Sequence, residues 1–211
     1  VGEGVIKRQE ELIKNMTDRE LLFHLMVTQS LFLLISIILG FIFFDRAEDF
    51  FQLWELSWET IAVGLLATVI VLLIDLVIMK WAPKSWYDDG GINEKLFQNR
   101  SLPEIFWMTL IVAFAEEILF RGVLQTHFGL FIASLIFAFM HFRYLSKWLL
   151  FATVLFVSFF LGVIFELTEN ILTTIFAHFL IDFVSAVQIR FQYLKNSKGD
   201  GRDDEEDDKS V

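Results

Sequence analysis

Residues 101–141 read SLPEIFWMTLIVAFAEEILFRGVLQTHFGLFIASLIFAFMH, an apolar stretch into which Glu116, Glu117, Arg121 and His141 are set. Ionisable groups inside such runs are expensive in hydrocarbon, so they are expected to face a bundle interior or a hydrated cavity. Ser101 followed three residues later by Glu104, with Pro103 between them, has the form of a capping box and predicts a helix from about 102 to 126. Gly129 marks a turn, beyond which 130–142 forms a shorter span. The turn is a candidate re-entrant segment, since irregular backbone at membrane depth is tolerated where it is buried in protein.

Outward from this stretch the chain stays apolar. Hydrophobic residues make up 55% of the 211, 25 of them Phe, with two Pro and no Cys. That balance predicts an all-α, polytopic membrane helical bundle whose apolar residues also cover its outside. About 20 residues at 1.5 Å each cross the hydrocarbon core, and six segments qualify: 21–44, 60–79, 102–126, 130–142, 148–165 and 170–190. Gly162 in the fifth is read as a point of close helix packing. Between the second and third, Asp88-Asp89-Gly90-Gly91 predicts a turn and Asn93 to Asn99 a short amphipathic helix on the surface.

Without Cys there is no disulfide framework, thiolate metal site or cysteine nucleophile. The net charge of −10 is partly that of the acidic end, GDGRDDEEDDKSV. No basic groove with interleaved aromatics appears, so nucleic acid is not an expected partner. No small-residue cleavage site follows a short apolar region near the start, so the first hydrophobic segment is expected to remain.

Lys and Arg number four before the first span, four in 80–102, two in 143–147 and five from Arg190 onward. Residues 45–59 hold only Arg46, and 166–169 hold none. This bias predicts a cell-membrane protein with both termini cytoplasmic. The expected organisation is a cytoplasmic N-terminal segment (1–20), a membrane helical domain (21–190) and a cytoplasmic, disordered acidic tail (191–211).

In AEEILFR, residues 115–121, Glu117 and Arg121 stand at i,i+4 on one helix face, while Glu116 points about 100° away. Arg121 can neutralise and orient Glu117, leaving Glu116 free to face water as a general base. His141 can share that water or bind a metal. His178 and Asp182 form another i,i+4 pair, read either as donors to a developing oxyanion or as a ligand with its orienter. His24 reads as an interfacial histidine. Asp75 reads as a carboxylate in a satisfied structural role.

The three groups fall into motifs: EExxxR at Glu116–Arg121, FxxxH at Phe137–His141, and Hxxx followed by Asn or Asp at His178–Asp182. In order and spacing the sequence resembles the CAAX prenyl protease type II family, also called the bacteriocin-processing or Abi intramembrane protease family. The likeness is clearest over 103–185. It implies that Glu116 with His141 activates water for peptide hydrolysis, that Glu117 and Arg121 brace the first motif, and that His178 and Asp182 stabilise the substrate carbonyl and oxyanion. Asp182 is the acidic version of the last position: neutral, it donates as Asn would; ionised, it orients His178.

Two mechanisms follow. The preferred one uses no cofactor, with a Glu/His pair activating water. The other places zinc on Glu116, His141 and His178, with an open position for water. The expected function is therefore an intramembrane endopeptidase acting on a membrane-associated peptide or protein, prenylated or otherwise lipidated substrates included. The competing expectations are a non-proteolytic membrane binding or immunity protein and a proton-coupled transporter using Asp75 and the same buried groups.

Overall fold

The computed structural model describes residues 15–141, 144–145 and 147–207, the last ten of these by backbone alone. The expected N-terminal cytoplasmic segment therefore lies mostly outside the described residues, as does the end of the tail. Among the described residues every regular element is helical, and the bundle is all-α.

α1 (Asp18–Phe43) opens on a capping box in which Thr17 and Glu20 exchange hydrogen bonds, which starts the helix three residues before its apolar run. It buries Gln29, Phe32 and Ser36 while Leu31, Leu34, Ile38 and Phe41 face outward. Polar groups inside and apolar groups outside invert the pattern of a water-soluble helix, as lipid requires. After the short α2 (Ala47–Phe51), α3 (Trp58–Trp81) is capped by Ser57 and carries exposed Trp at both ends. Its 24 residues correspond to about 36 Å, a hydrocarbon core plus its interfaces, where Trp is favoured.

α4 (Lys84–Tyr87) leads to the Asp88–Gly91 turn, in which Asp88 and Asp89 accept from Gly90 and Gly91 at 2.8 and 3.0 Å. α5 (Ile92–Phe97) follows. It is the expected short amphipathic helix, with Glu94 exposed on its outer face. Ile92 and Leu96 are buried and turn toward the bundle interior.

α6 (Leu102–Glu117) starts at the expected capping box, Ser101 with Glu104. It then passes into a π segment, Ile118–Gln125, and α7 (Thr126–Met140). Gly129, at φ 79° and ψ 167°, breaks α7. The chain reverses there: the Phe120 and Phe137 rings lie 4.9 Å apart, whereas 17 residues of straight helix would separate them by about 25 Å. α8 (Trp148–Thr168) and α9 (Ile171–Asp207) complete the bundle.

Among the described residues five helices are long and apolar enough to cross a membrane: Asp18–Phe43, Trp58–Trp81, Leu102–Met140, Trp148–Thr168 and Ile171–Ser197. The count differs from six separate spans because the third and fourth are one element folded at Gly129, whose return arm is short. The contacts at each end nevertheless show six passes. At one end Asn99 and Arg100 bind Asp18, Arg190 donates to the carbonyls of Gln98 and Arg100, and Trp86 meets Trp148. At the other, Ile171 donates to Leu53 O, Asn170 to Glu55 O, and His127 packs on Phe43 and Phe44. The start of α1, the 82–101 connection, the start of α8 and Arg190 thus share one end.

The backbone of α9 is helical to Asp207. Extending an established helix costs far less than nucleating one, so an acidic sequence can continue it.

Candidate active site

The ion pair at the centre is enclosed by three helices. Glu117 is 0% and Arg121 1% exposed. Arg121 Nη1 lies 3.2 Å from Glu117 Oε1, though off hydrogen-bond alignment. Nη2 donates to Ser158 O and Oγ on α8 at 2.9 and 3.3 Å. The guanidinium also lies 4.9 Å from the centre of the Phe137 ring. A buried charge needs such complete enclosure, because the desolvation penalty is offset only when partners surround it.

From Glu117 the network continues to α9. His178 Nδ1 donates to Glu117 Oε1 at 2.8 Å; a carboxylate only accepts, so Nδ1 carries a proton. Its other nitrogen, Nε2, lies 3.4 Å from Asp182 Oδ2 and 4.0 Å from Glu116 Oε2. One turn of helix separates His178 from Asp182, which is why both reach the same place. Glu117 is therefore the anchor and Glu116, itself 6% exposed, the neighbour that lines the cavity, as their 100° separation requires.

Glu116, His141, His178 and Asp182 all line one cavity of about 890 Å³. Its remaining wall is largely apolar, with Leu25, Phe32, Leu96, Met108 and Val154 among the residues around it. His141 Nδ1 is 2.9 Å from Phe137 O. A carbonyl only accepts, so Nδ1 is the donor and Nε2 is left as the acceptor nitrogen. Phe137 thus sets its ring by backbone as well as by packing, the two rings lying 4.8 Å apart.

All six expected residues are brought together. The nearest partners of Glu116 are His178 and Gln29, and it lines the same cavity as His141. Asp75 lies half-buried on α3, away from the cavity lining, and His24 is exposed at the cavity margin.

Other contributors carry no motif. Gln29, on α1, donates to Glu116 Oε1 at 3.2 Å; its signal is an amide among apolar neighbours. Ser158 holds Arg121. Gln125 Nε2 donates to Gly162 O at 2.8 Å, locking the π segment to α8. A Cβ on Gly162 would collide with Leu130 and come within 2.9 Å of Gln125 Oε1, so the expected close packing is present. The π segment begins immediately after Glu117, and such distortions concentrate at functional sites.

For zinc, the donor set is Glu116, His141 and His178. Among the described residues no three His, Asp or Glu side chains converge as a metal-holding group, and both nitrogens of His178 face carboxylates.

Residues 98–184 match the family described as Type II CAAX prenyl endopeptidase Rce1-like, a segment containing all three motifs. The uncharacterized protein YpbD of Bacillus subtilis (strain 168) is 51% identical over 175 residues, covering 82% of this chain and 93% of that protein. The chain belongs to the type II CAAX prenyl endopeptidase family. No solved structure matches it. In this family member the matched segment supplies α6, the π segment, α7, α8 and the start of α9, while α1 and α5 close the cavity from outside it.

Proposed function

We propose that the chain is an intramembrane endopeptidase that hydrolyses a peptide bond of a membrane-associated substrate, with Glu116 as the general base. The observation that carries this reading is the single cavity inside the bundle on whose wall Glu116, His141, His178 and Asp182 all lie. A water between Glu116 and His141 finds two acceptors, a carboxylate oxygen and Nε2. Its oxygen attacks the substrate carbonyl carbon as its proton passes to Glu116. The carbonyl oxygen takes the developing charge, which His178 stabilises through a proton on Nε2, its ring oriented by Asp182. The C–N bond then breaks, and the proton on Glu116 moves to the departing nitrogen. Glu117 and Arg121 take no proton; they hold His178 and fix the helix that carries Glu116. The apolar wall suits a lipid-modified or otherwise apolar peptide segment, prenylated substrates among them. Basic-residue bias supports cytoplasmic placement of both termini.

The test is mass spectrometry of membrane peptides incubated with the purified protein in liposomes, alongside Glu116→Ala and His141→Ala. Cleavage by the wild type and its loss in both folded variants is the expected outcome. Unchanged cleavage in either variant rejects its assigned role. Activity should survive chelation with metal content measured as negligible; activity that disappears on chelation and returns with zinc would reverse the choice of mechanism.

A further inference from the structure

Asp182 Oδ2 faces His178 Nε2 at 3.4 Å. The Asp182 side chain lines the cavity and is 36% exposed, whereas His178 and Glu116 beside it are nearly enclosed. An ionised carboxylate accepts through both oxygens, and orienting the His178 ring uses only one of them. The other, Oδ1, has no partner among the described residues. Around it the wall is formed by Ile181, Ala186, Ile189 and Leu96, and the described lining holds no Lys or Arg; His24 stands exposed at the margin. The charges at the site are also unequal. Both nitrogens of His178 face carboxylates and carry protons, so Arg121 and His178 supply two positive charges against three carboxylates, Glu116, Glu117 and Asp182. Glu117 is matched in the interior, which leaves the excess negative charge on the cavity wall. Water can solvate such a group, but a substrate that fills an apolar cavity displaces water, and a bare carboxylate is then costly unless its partner arrives with the substrate.

We propose that Asp182 is a specificity-determining residue: Oδ2 orients His178, and Oδ1 receives the cationic side chain of a Lys or Arg close to the scissile bond of the substrate. This rests on the peptidase reading, in which the scissile carbonyl oxygen lies against His178 Nε2. Oδ2 is 3.4 Å from that nitrogen and shares one carbon with Oδ1, so Oδ1 lies beside the bond being cleaved. A backbone N–H would satisfy the acceptor and leave the charge. An ammonium or guanidinium satisfies both, and a hydrogen bond between charged groups is roughly twice as strong as a neutral one. The methylene stem of Lys or Arg can lie along the apolar wall while its head reaches the carboxylate. Asn in place of Asp182 would keep an acceptor oxygen and lose the charge.

The experiment gives the full chain in liposomes pairs of farnesylated peptides that compete in one vessel. The members of a pair are identical except at one position, lysine in one and norleucine, the same stem without the ammonium, in the other. That position is moved through the two residues on each side of the scissile bond, and mass spectrometry of the products gives the ratio of kcat/KM for each pair. The wild type should favour lysine by about tenfold at one of these positions. In Asp182→Asn the ratio should fall to near unity, and Asp182→Glu, which keeps the charge, should retain the preference. Looser orientation of His178 slows both members alike, so the ratio isolates the contact with the side chain and does not depend on how much of a variant is folded. A wild type that favours lysine at none of the positions overturns the proposal, as does a preference that survives in Asp182→Asn. Failure of the wild type to cleave either member of any pair, as Glu116→Ala fails, overturns the peptidase reading itself and the inference with it.

Discussion

Arg121 shows how a single residue can matter without touching a substrate. It is enclosed by Glu117, Ser158 and the Phe137 ring, so Arg121→Met leaves Glu117 buried without its guanidinium partner. Loss of one partner of a buried pair costs roughly 3–5 kcal/mol. The unfolding temperature should fall sharply in Arg121→Met and recover in part when Glu117→Gln removes the stranded charge. The same measurement on Glu116→Gln should show a smaller loss, because Glu116 meets the cavity and Gln29, whereas Glu117 has no exposed surface. A stability cost at Glu117 and an activity cost at Glu116 are therefore separable, although the residues are adjacent.

At the scale of elements, two glycines decide how the third membrane element folds onto the fourth. Gly129 adopts φ 79° with ψ 167°, a region essentially confined to glycine. Gly129→Ala should cost about 1–3 kcal/mol and loosen the return arm that carries Phe137 and His141, read as faster hydrogen exchange along 130–140. Gly162 acts through space instead of backbone conformation. A larger side chain there meets Leu130, Gln125 and Ser134, so Gly162→Leu should separate α7 from α8 and lower the unfolding temperature more than Gly40→Leu, where nothing lies within 4 Å. The π segment ends four residues before Gly129, and Gln125 ties it to the carbonyl of Gly162.

For the molecule as a whole, the testable property is sidedness. The chain has no Cys, so a single introduced cysteine reports its own position. Asp89→Cys and Ser197→Cys lie at one end of the bundle and Glu48→Cys at the other. In intact cells a membrane-impermeant thiol reagent should label Glu48→Cys and leave the other two unlabelled until the membrane is opened. Labelling of all three from outside would reject cytoplasmic placement of the termini; labelling of Asp89→Cys but not Ser197→Cys would reject the even number of passes.

The sequence by itself determined the helical membrane class, the capping box at Ser101, the turn at Gly129, and the six ionisable residues worth watching. Each is a local signal: hydropathy over about 20 residues, a cap within four, or charge where charge is costly. Only the tertiary structure decided the partners. Gln29 and Glu116 are 87 positions apart, and Glu117 and His178 are 61 apart. No periodicity connects such distant residues; the packing of α1 and α9 against α6 does. The same packing put Ile92 and Leu96 of α5 on the cavity wall and gave Glu116 the amide of Gln29 as its neighbour. Burial and helix face can be read from one dimension, but a hydrogen bond between distant helices exists only once both have been docked.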